Sequence, residues 1–375
     1  MFYNYQQFKN IIHTNLIPDI YFWAEYGLVS EKSDKVEWEC YYSNNLFYCY
    51  LKRPYQFNGK TYYDLISPYG YTGIINIFNT YISNDDLLSF WTQFLEKAKG
   101  HNYLTQVIRQ SPYISDQLNN NLNNFSNLTN LNLDVISKKT FYSLECNKFQ
   151  SVNEYLKSTN KNNRKMITKA MKNNLVFKFV PYVYADEYYQ DFIYIYTQTM
   201  KNLSAGSYYF FNDEYFKTLS KINKFKNETL LQINNESMDN TDNYCIKLAN
   251  IYLDDKCIAS CMIFLWNNSY LNYHIGGSNK DYRHLGCNNY LHFKVLEYGI
   301  VNNYNIYNLG CGLQDGDALD KFKSRLATMK NDYIIYKHII NEDIYEQAKD
   351  SYLKNKNNEE LKSSCNLNYF PIYRQ

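Results

Sequence analysis

Proline and glycine are scarce, at 6 and 13 of 375 residues, which leaves no room for a collagen-like or linker-rich chain. A dominant charge is also missing. The formal net charge is only +2, so the overall balance gives no argument for a nucleic-acid-binding surface, though a local basic groove is compatible with it. No window of about 18 uninterrupted apolar residues exists to span a bilayer. The longest apolar run, Ile258 to Trp266, contains Ser260 and has strand length. The opening Met1-Phe2-Tyr3-Asn4-Tyr5-Gln6 has neither a basic nor an apolar leader segment, so a cytoplasmic protein is expected. The 9 cysteines form no CxxC pair and sit in apolar segments, which favours buried thiols over disulfides or zinc. No HExxH, Walker A or GxSxG pattern occurs, nor any metal-ligand cluster. Metalloprotease, P-loop NTPase and serine hydrolase chemistry is therefore not expected, nor is a metal.

What is present is aromatic. With 42 Tyr and 22 Phe, a single tyrosine is weak evidence for a site, because most must be packing residues. The length suits two domains of about 150 to 200 residues each. We place them at 1–150 and 151–375.

In the first, Val36 to Tyr42 and Leu46 to Leu51 read as a hairpin around Ser43-Asn44-Asn45. Thr61 to Ile66 is a strand entering Ser67-Pro68-Tyr69-Gly70-Tyr71, and a helix capped near Asn84 runs to about Lys99. Leu104 to Arg109 and Lys139 to Leu144 are strands, separated by an Asn-rich polar segment from 118 to 132. In the second, one long basic helix is expected from Ser151, with Glu154 completing a capping box, to about Asn173. Strands follow at 175–180, 230–233, 245–252, 256–266 and 269–275, with helices at 185–201 and 213–222 and a polar loop at 234–243. Both halves show hairpin strands, a helix and a further strand, compatible with one fold used twice.

The stretch from Tyr270 to Lys330 is the most informative. A strand ends at Gly276-Gly277, where the lack of Cβ lets a ligand approach the backbone. Arg283, Gly286 and Asn288 then precede a helix from about Asn289 to Val301. Its free N–H groups suit a phosphate. After a second strand into Leu309-Gly310, Asp317 or Gly316 starts a short helix with Phe322 on its buried stripe and Lys323 one step round. Arg164, Lys165 and Lys169 make a basic helix face able to meet diphosphate or tRNA backbone. His274 is a candidate base and Asp64 a candidate orienter of an amine.

Five segments carry a resemblance. They are Ser67-Pro68-Tyr69-Gly70-Tyr71, the basic helix Asn163 to Ala170, the aromatic segment Tyr208 to Phe216, His274-Ile275-Gly276-Gly277-Ser278, and Leu309-Gly310 followed by Phe322-Lys323. In order and spacing they resemble the GNAT acyltransferase fold, and the whole chain resembles the Fem-type aminoacyltransferases, which pair two GNAT-like domains. The resemblance implies an α/β (α+β) fold of two tandem GNAT-like domains, with mixed central sheets flanked by helices and the site in the second. It implies an acyl- or aminoacyltransferase acting on an amine of a cell-wall precursor or amino sugar. No tightly bound cofactor is implied, the donor being aminoacyl-tRNA or acyl-CoA. Partners would be a small or lipid-linked acceptor, with transient membrane-surface contact. Lys323, Phe322 and His274 would be catalytic. Tyr69, Arg164, Lys165, Tyr215, Tyr273, Gly276 and Gly277 would bind substrate, and Arg283, Gly286 and Asn288 the donor. The family's phosphate loop, Q/R-x-x-G-x-G/A, here reads Arg283-x-x-Gly286-x-Asn288. The alternatives are an acyl-CoA-dependent N-acetyltransferase and a non-catalytic relative that binds a glycan or precursor.

Overall fold

A computed structural model describes residues 1–10, 17, 19–76, 83–112, 134–233, 245–266, 269–356 and 369–375. The chain folds into two compact units. One comprises 1–17, 21–138 and 333–375, the other 18–20 and 139–332. The expected division at 150/151 thus differs from the contact-defined one in two ways: the break comes earlier, and the last segment of the chain returns to the first unit.

The first unit opens with β1 (Phe2–Asn4), α1 (Tyr5–Lys9), α2 (Ala24–Asp34), β2 (Glu37–Ser43), β3 (Leu46–Phe57) and β4 (Lys60–Ile66). Strands β1 to β4 pair antiparallel in order. Asn44 and Asn45 take φ of 50° and 63°, the left-handed conformation that a tight hairpin turn requires, and asparagine tolerates it. β5 (Gly73–Asn76) pairs with β3, and α3 (Asn84–Gly100) follows. The cap of α3 is Ser83, one residue before the expected start, in a capping box with Asp86. Leu87, Phe90, Trp91, Phe94 and Ala98 form its buried stripe. β6 (Tyr103–Arg109) returns parallel to β4.

The second unit holds most of β7 (Asp134–Glu145), then α4 (Val152–Ser158), α5 (Lys161–Lys172), β8 (Val176–Pro181), α6 (Glu187–Asn202) and α7 (Asp213–Ile233). It continues with β9 (Ile246–Leu253), β10 (Lys256–Trp266), β11 (Tyr270–Ser278), α8 (Cys287–Val301), β12 (Ile306–Gly310) and α9 (Ala318–Leu326). Its sheet order is β7-β12-β11-β10-β9-β8, antiparallel except for β11–β12. The core joins Leu291, Val295 and Leu296 of α8 to Ala249, Cys261, Ile263, Leu271 and Leu309 of the sheet. β13 (Met329–Ile339) then pairs with β6, and α10 (Glu342–Lys354) packs Tyr345 and Ala348 against Tyr62, Leu104 and Tyr373, completing the first unit.

Each unit therefore contains an antiparallel meander, a helix and a strand returning parallel to the meander's last strand. β2-β3-β4-α3-β6 matches β9-β10-β11-α8-β12 in order. Two local expectations fail. The long basic helix is two helices, broken at the extended Thr159, because Asn160 caps the second by accepting from Asn163 N; Ser151 makes no side-chain cap bond. Residues 230–233 continue α7 rather than form a strand. The polar segments 118–132 and 234–243 lie outside the described residues.

Candidate active site

The parallel pair β11–β12 is held at only three positions: Tyr270 with Ile306, Leu271 with Tyr307, and Asn272 with Asn308. β11 runs on to Ser278 without that partner. At the same point β11 carries an extra residue. Ile263 of β10 faces Tyr273 while Met262 faces Ile275, so His274 forms a bulge. A bulge bends its strand, so the end of the pairing and the bulge together mark a fork between β11 and β12.

Gly276 and Gly277, expected to bare that strand end, stand instead in regular register with Cys261 and Ser260. A Cβ on Gly276 would lie 2.5 Å from Cys261 Cβ, and one on Gly277 would lie 2.2 Å from Thr199 Oγ1 of α6. Close packing alone requires both glycines.

Lys323 is buried, at 6% exposure, rather than one step round the helix. With Asp320 and Leu326 it forms the buried stripe of α9, while Phe322 is only half-buried. The helix is capped by Asp317, as expected. The Lys323 ammonium donates to the Cys311 carbonyl at 2.9 Å and lies 5.4 Å from the centre of the Tyr273 ring. Among the described residues no carboxylate comes within ion-pair distance of it. Burial pushes the ammonium down to about 8, with Cys311, Asp317 and Asp320 partly opposing the shift. Asp320 is otherwise engaged, accepting from Tyr142 Oη at 2.8 Å and Gly316 N at 3.0 Å.

The residue that sequence reasoning missed is His292 of α8. Its Nδ1 pairs with Tyr307 Oη at 2.8 Å, and its ring lies 5.4 Å from Tyr273 and 5.7 Å from Phe322. Tyr307 precedes the last paired residue of β12 and Tyr273 follows the last paired residue of β11, so His292 sits over the fork. No local motif surrounds it. A histidine in an apolar helix looks like core until β11 and β12 bring Tyr273 and Tyr307 to it.

His274 is a poor base. Burial pushes it down to about 3, so it stays neutral, hydrogen-bonded through Nε2 to Tyr215 Oη at 2.8 Å and stacked on Phe264 at 4.2 Å. Tyr215 is buried with it. On the donor side, Gly286 adopts φ 81° and begins α8 with no side-chain cap. A Cβ there would meet the Met166 carbonyl of α5 at 2.3 Å, so only glycine fits. Asn288 lies in the first turn of α8, which carries no acidic residue. Arg283 is exposed, its Nε donating to Ser278 Oγ at 3.3 Å.

Arg164 donates to the carbonyls of Lys157 and Thr159 at 2.9 Å, closing the C-terminal end of α4, while Lys165 and Lys169 are exposed. In the first unit, Tyr69 is half-buried and its carbonyl accepts from Tyr26 Oη at 2.7 Å. Asp64 is occupied structurally: Thr105, Tyr373 and Arg374 donate to it at 2.6, 2.7 and 2.8 Å. It therefore orients no amine. Among the described residues no cluster fit for a metal occurs, and no helix is long and apolar enough to cross a membrane.

A family model described as "Acetyltransferase (GNAT) domain" matches residues 217–324, which contain the fork, His292 and Lys323. No curated protein sequence matches the chain. Among solved structures the fold is similar to FemX, at 12% identity and a TM-score of 0.61, covering 92% of this chain and 98% of that one. It is also similar to the C-terminal domain of a putative lysylphosphatidylglycerol synthetase from Agrobacterium fabrum, at 12% identity and a TM-score of 0.50, covering 87% and 91%. Its second unit thus carries an acetyltransferase-type (GNAT) domain at 217–324, and the chain shares the fold of FemX.

Proposed function

We propose that the protein transfers an activated acyl or aminoacyl group to the amine of a cell-wall precursor or amino-sugar acceptor, small or lipid-linked. The observation that carries this reading is the fork itself, which lies beside a buried ammonium and is followed by a helix whose N-terminus has no side-chain cap. Such a helix end, with Arg283, receives the donor's phosphates. The reactive carbonyl enters the fork, where N–H groups of β11 beyond its pairing with β12 meet the oxyanion as the amine attacks. Positioning of ester and amine supplies most of the rate, without a covalent enzyme intermediate. The Lys323 ammonium neutralises the charge growing on the leaving atom.

The likeness to FemX supports an aminoacyl donor, and the acetyltransferase domain supports a second reading in which acyl-CoA is the donor. The synthetase relative is named for a lysyl group and phosphatidylglycerol, which keeps a lipid-linked acceptor and transient contact with a membrane surface within the proposal. No tightly bound cofactor is needed, and the reaction is assigned to the cytoplasm.

The test is a mass-spectrometric screen of purified protein with charged tRNAs and acyl-CoAs against muropeptide and amino-sugar acceptors. A mass gain on an acceptor amine is the expected result. Tight acceptor binding without turnover by any donor would overturn it in favour of a binding protein. Protection of backbone amides at 283–288 by coenzyme A, but not by aminoacyl-tRNA, would select the second reading.

A further inference from the structure

Between Glu154 and Asp186 the chain carries no acidic residue, while 7 basic ones fall there, 6 of them lysines. Against a formal net charge of +2 for all 375 residues, the sequence outside that stretch is therefore acidic on balance. Helix α5 turns this composition into a surface. Asn163, Ile167 and Ala170 are buried on one side, and Lys161, Lys165 and Lys172 follow each other at helical spacing on the other. Lys169 and Arg164 are exposed beside them. The row is about 16 Å long. None of its lysine ammoniums has a hydrogen bond or ion pair among the described residues. Lys161 moreover stands in the first turn of α5, which has no acidic residue, so a cation sits at the positive end of the helix dipole. The helix gains nothing from that charge, which argues for a use outside the chain. The other side of α5 packs on the start of α8: Asn289 donates to Asn163 Oδ1 at 2.9 Å, and the Met166 carbonyl lies against Gly286. A surface seated on the lysines would thus stand one helix diameter, about 10 Å, from the helix end proposed for the donor's phosphates.

We propose that the outer face of α5 docks the protein on a bilayer rich in anionic phospholipid. This extends the lipid-linked acceptor of the acyltransferase reading, but the docking itself does not depend on turnover. Lysine suits such a partner. A compact ammonium on a flexible stem meets headgroup phosphates in no fixed geometry, and its methylenes lie along the apolar boundary. Met171, exposed in the last turn of α5, adds an apolar chain that a headgroup layer takes up. A nucleic acid is fitted less well. The helix contains no aromatic residue to stack on a base, and the guanidinium of its one arginine is engaged by the Lys157 and Thr159 carbonyls.

The experiment uses the full chain without any acyl donor. Flotation measures its partition onto vesicles of phosphatidylglycerol and phosphatidylcholine in equal parts, beside vesicles of phosphatidylcholine alone, at about 0.1 M salt. Wild type is compared with the double variant Lys161→Gln, Lys172→Gln. A control carries Lys217→Gln and Lys221→Gln on α7, exposed lysines whose loss removes the same charge. Wild type should bind the anionic vesicles and not the neutral ones. The α5 variant should bind about twenty-five-fold more weakly, a factor of about five for each lysine, and the α7 control within about threefold of wild type. Equal weakening in both variants would reduce the effect to net charge and overturn the docking face. Wild type that stays off anionic vesicles, yet binds unacylated bulk tRNA through the two α5 lysines, would assign the face to RNA and overturn it as well. Vesicle binding by a protein that turns over no donor would leave the docking face standing and count against the acyltransferase reading alone.

Discussion

The two units share a topology and differ at one joint. In the first, β4 pairs with β6 to its last residue, Ile66 opposite Val107; in the second, β11 leaves β12 after Asn272 and continues to Ser278 beside β10 without it. The helix between each parallel pair differs in the same sense. α3 begins with a reciprocal Ser83–Asp86 box that fills its N-terminus with a carboxylate, whereas α8 begins at a left-handed glycine with no side-chain cap. The buried charges complete the contrast. Asp64 beside the first joint is fully engaged by three donors, while Lys323 beside the second has a carbonyl and an aromatic face but no carboxylate partner among the described residues. One copy of the fold has spent its polar groups on itself, and the other has left them open. The proposed chemistry lies where the pairing is given up, and each element of this contrast can be altered separately.

The largest expected effect is on turnover. Lys323→Met removes the ammonium from the fork but keeps an unbranched side chain of similar reach. It should cut kcat about a hundredfold or more, as loss of a charge that stabilises the transition state does. Stability should stay near wild type, because the variant no longer buries a charge without an ionic partner and loses only one hydrogen bond, to Cys311. Thermal melting and steady-state kinetics on the same preparation decide it; unchanged kcat would remove Lys323 from the mechanism.

At the closed joint the same logic predicts the reverse. Asp64→Asn places an amide against Arg374 while keeping one acceptor for Thr105 and Tyr373. Weakening the pair between the buried Asp64 and the half-buried Arg374 guanidinium should cost about 1 to 3 kcal/mol. The melting temperature should drop by several degrees while kcat per folded molecule holds. A loss of kcat without a loss of stability would mean that Asp64 serves the reaction, as the sequence first suggested.

Much of this was legible in the chain, and the exceptions share a cause. Local pattern placed the hairpin at Asn44-Asn45, strand β10 to the residue, the Asp317 cap and the helix after Gly286. It failed at Thr159 and Asn160, where two residues in extended conformation split a helix whose composition reads as continuous. Lys323 stands one step round from Phe322 in the helical pattern, and a lysine on a short helix is usually solvated; tertiary packing turns it inward with Asp320 and Leu326. Gly276 and Gly277 drew attention as glycines at a strand end, yet each is explained by a neighbour distant in sequence, Cys261 and Thr199. His292 had no signal, because its meaning comes from Tyr273 and Tyr307 on two strands whose divergence no single segment encodes.

A smaller effect should follow from giving α8 what α3 already has. Asn288→Asp adds a carboxylate to a first turn that now has none. If donor phosphates sit there, the added charge opposes them and should raise the donor KM about tenfold with kcat little changed. The helix itself should gain slightly, since an acid in the first turn complements its dipole. Unchanged KM at low ionic strength would place the phosphates elsewhere.

The smallest effect is the converse at α3. Ser83→Ala removes an oxygen that accepts from Asp86 N at 3.1 Å and a hydroxyl that donates to Asp86 Oδ2 at 2.6 Å. Loss of such a cap costs about 1 kcal/mol, and the return bond from Ser83 N to Asp86 keeps part of the box. Urea denaturation should register that loss while the donor KM stays at its wild-type value. If uncapping α3 changed the donor KM as acidifying α8 does, both helix ends would serve the donor and the asymmetry between the units would fail at its weakest point. The helix ends make that a fair trial: α3 satisfies its own first turn with Ser83 and Asp86, and Gly286 offers α8 no side chain with which to do the same.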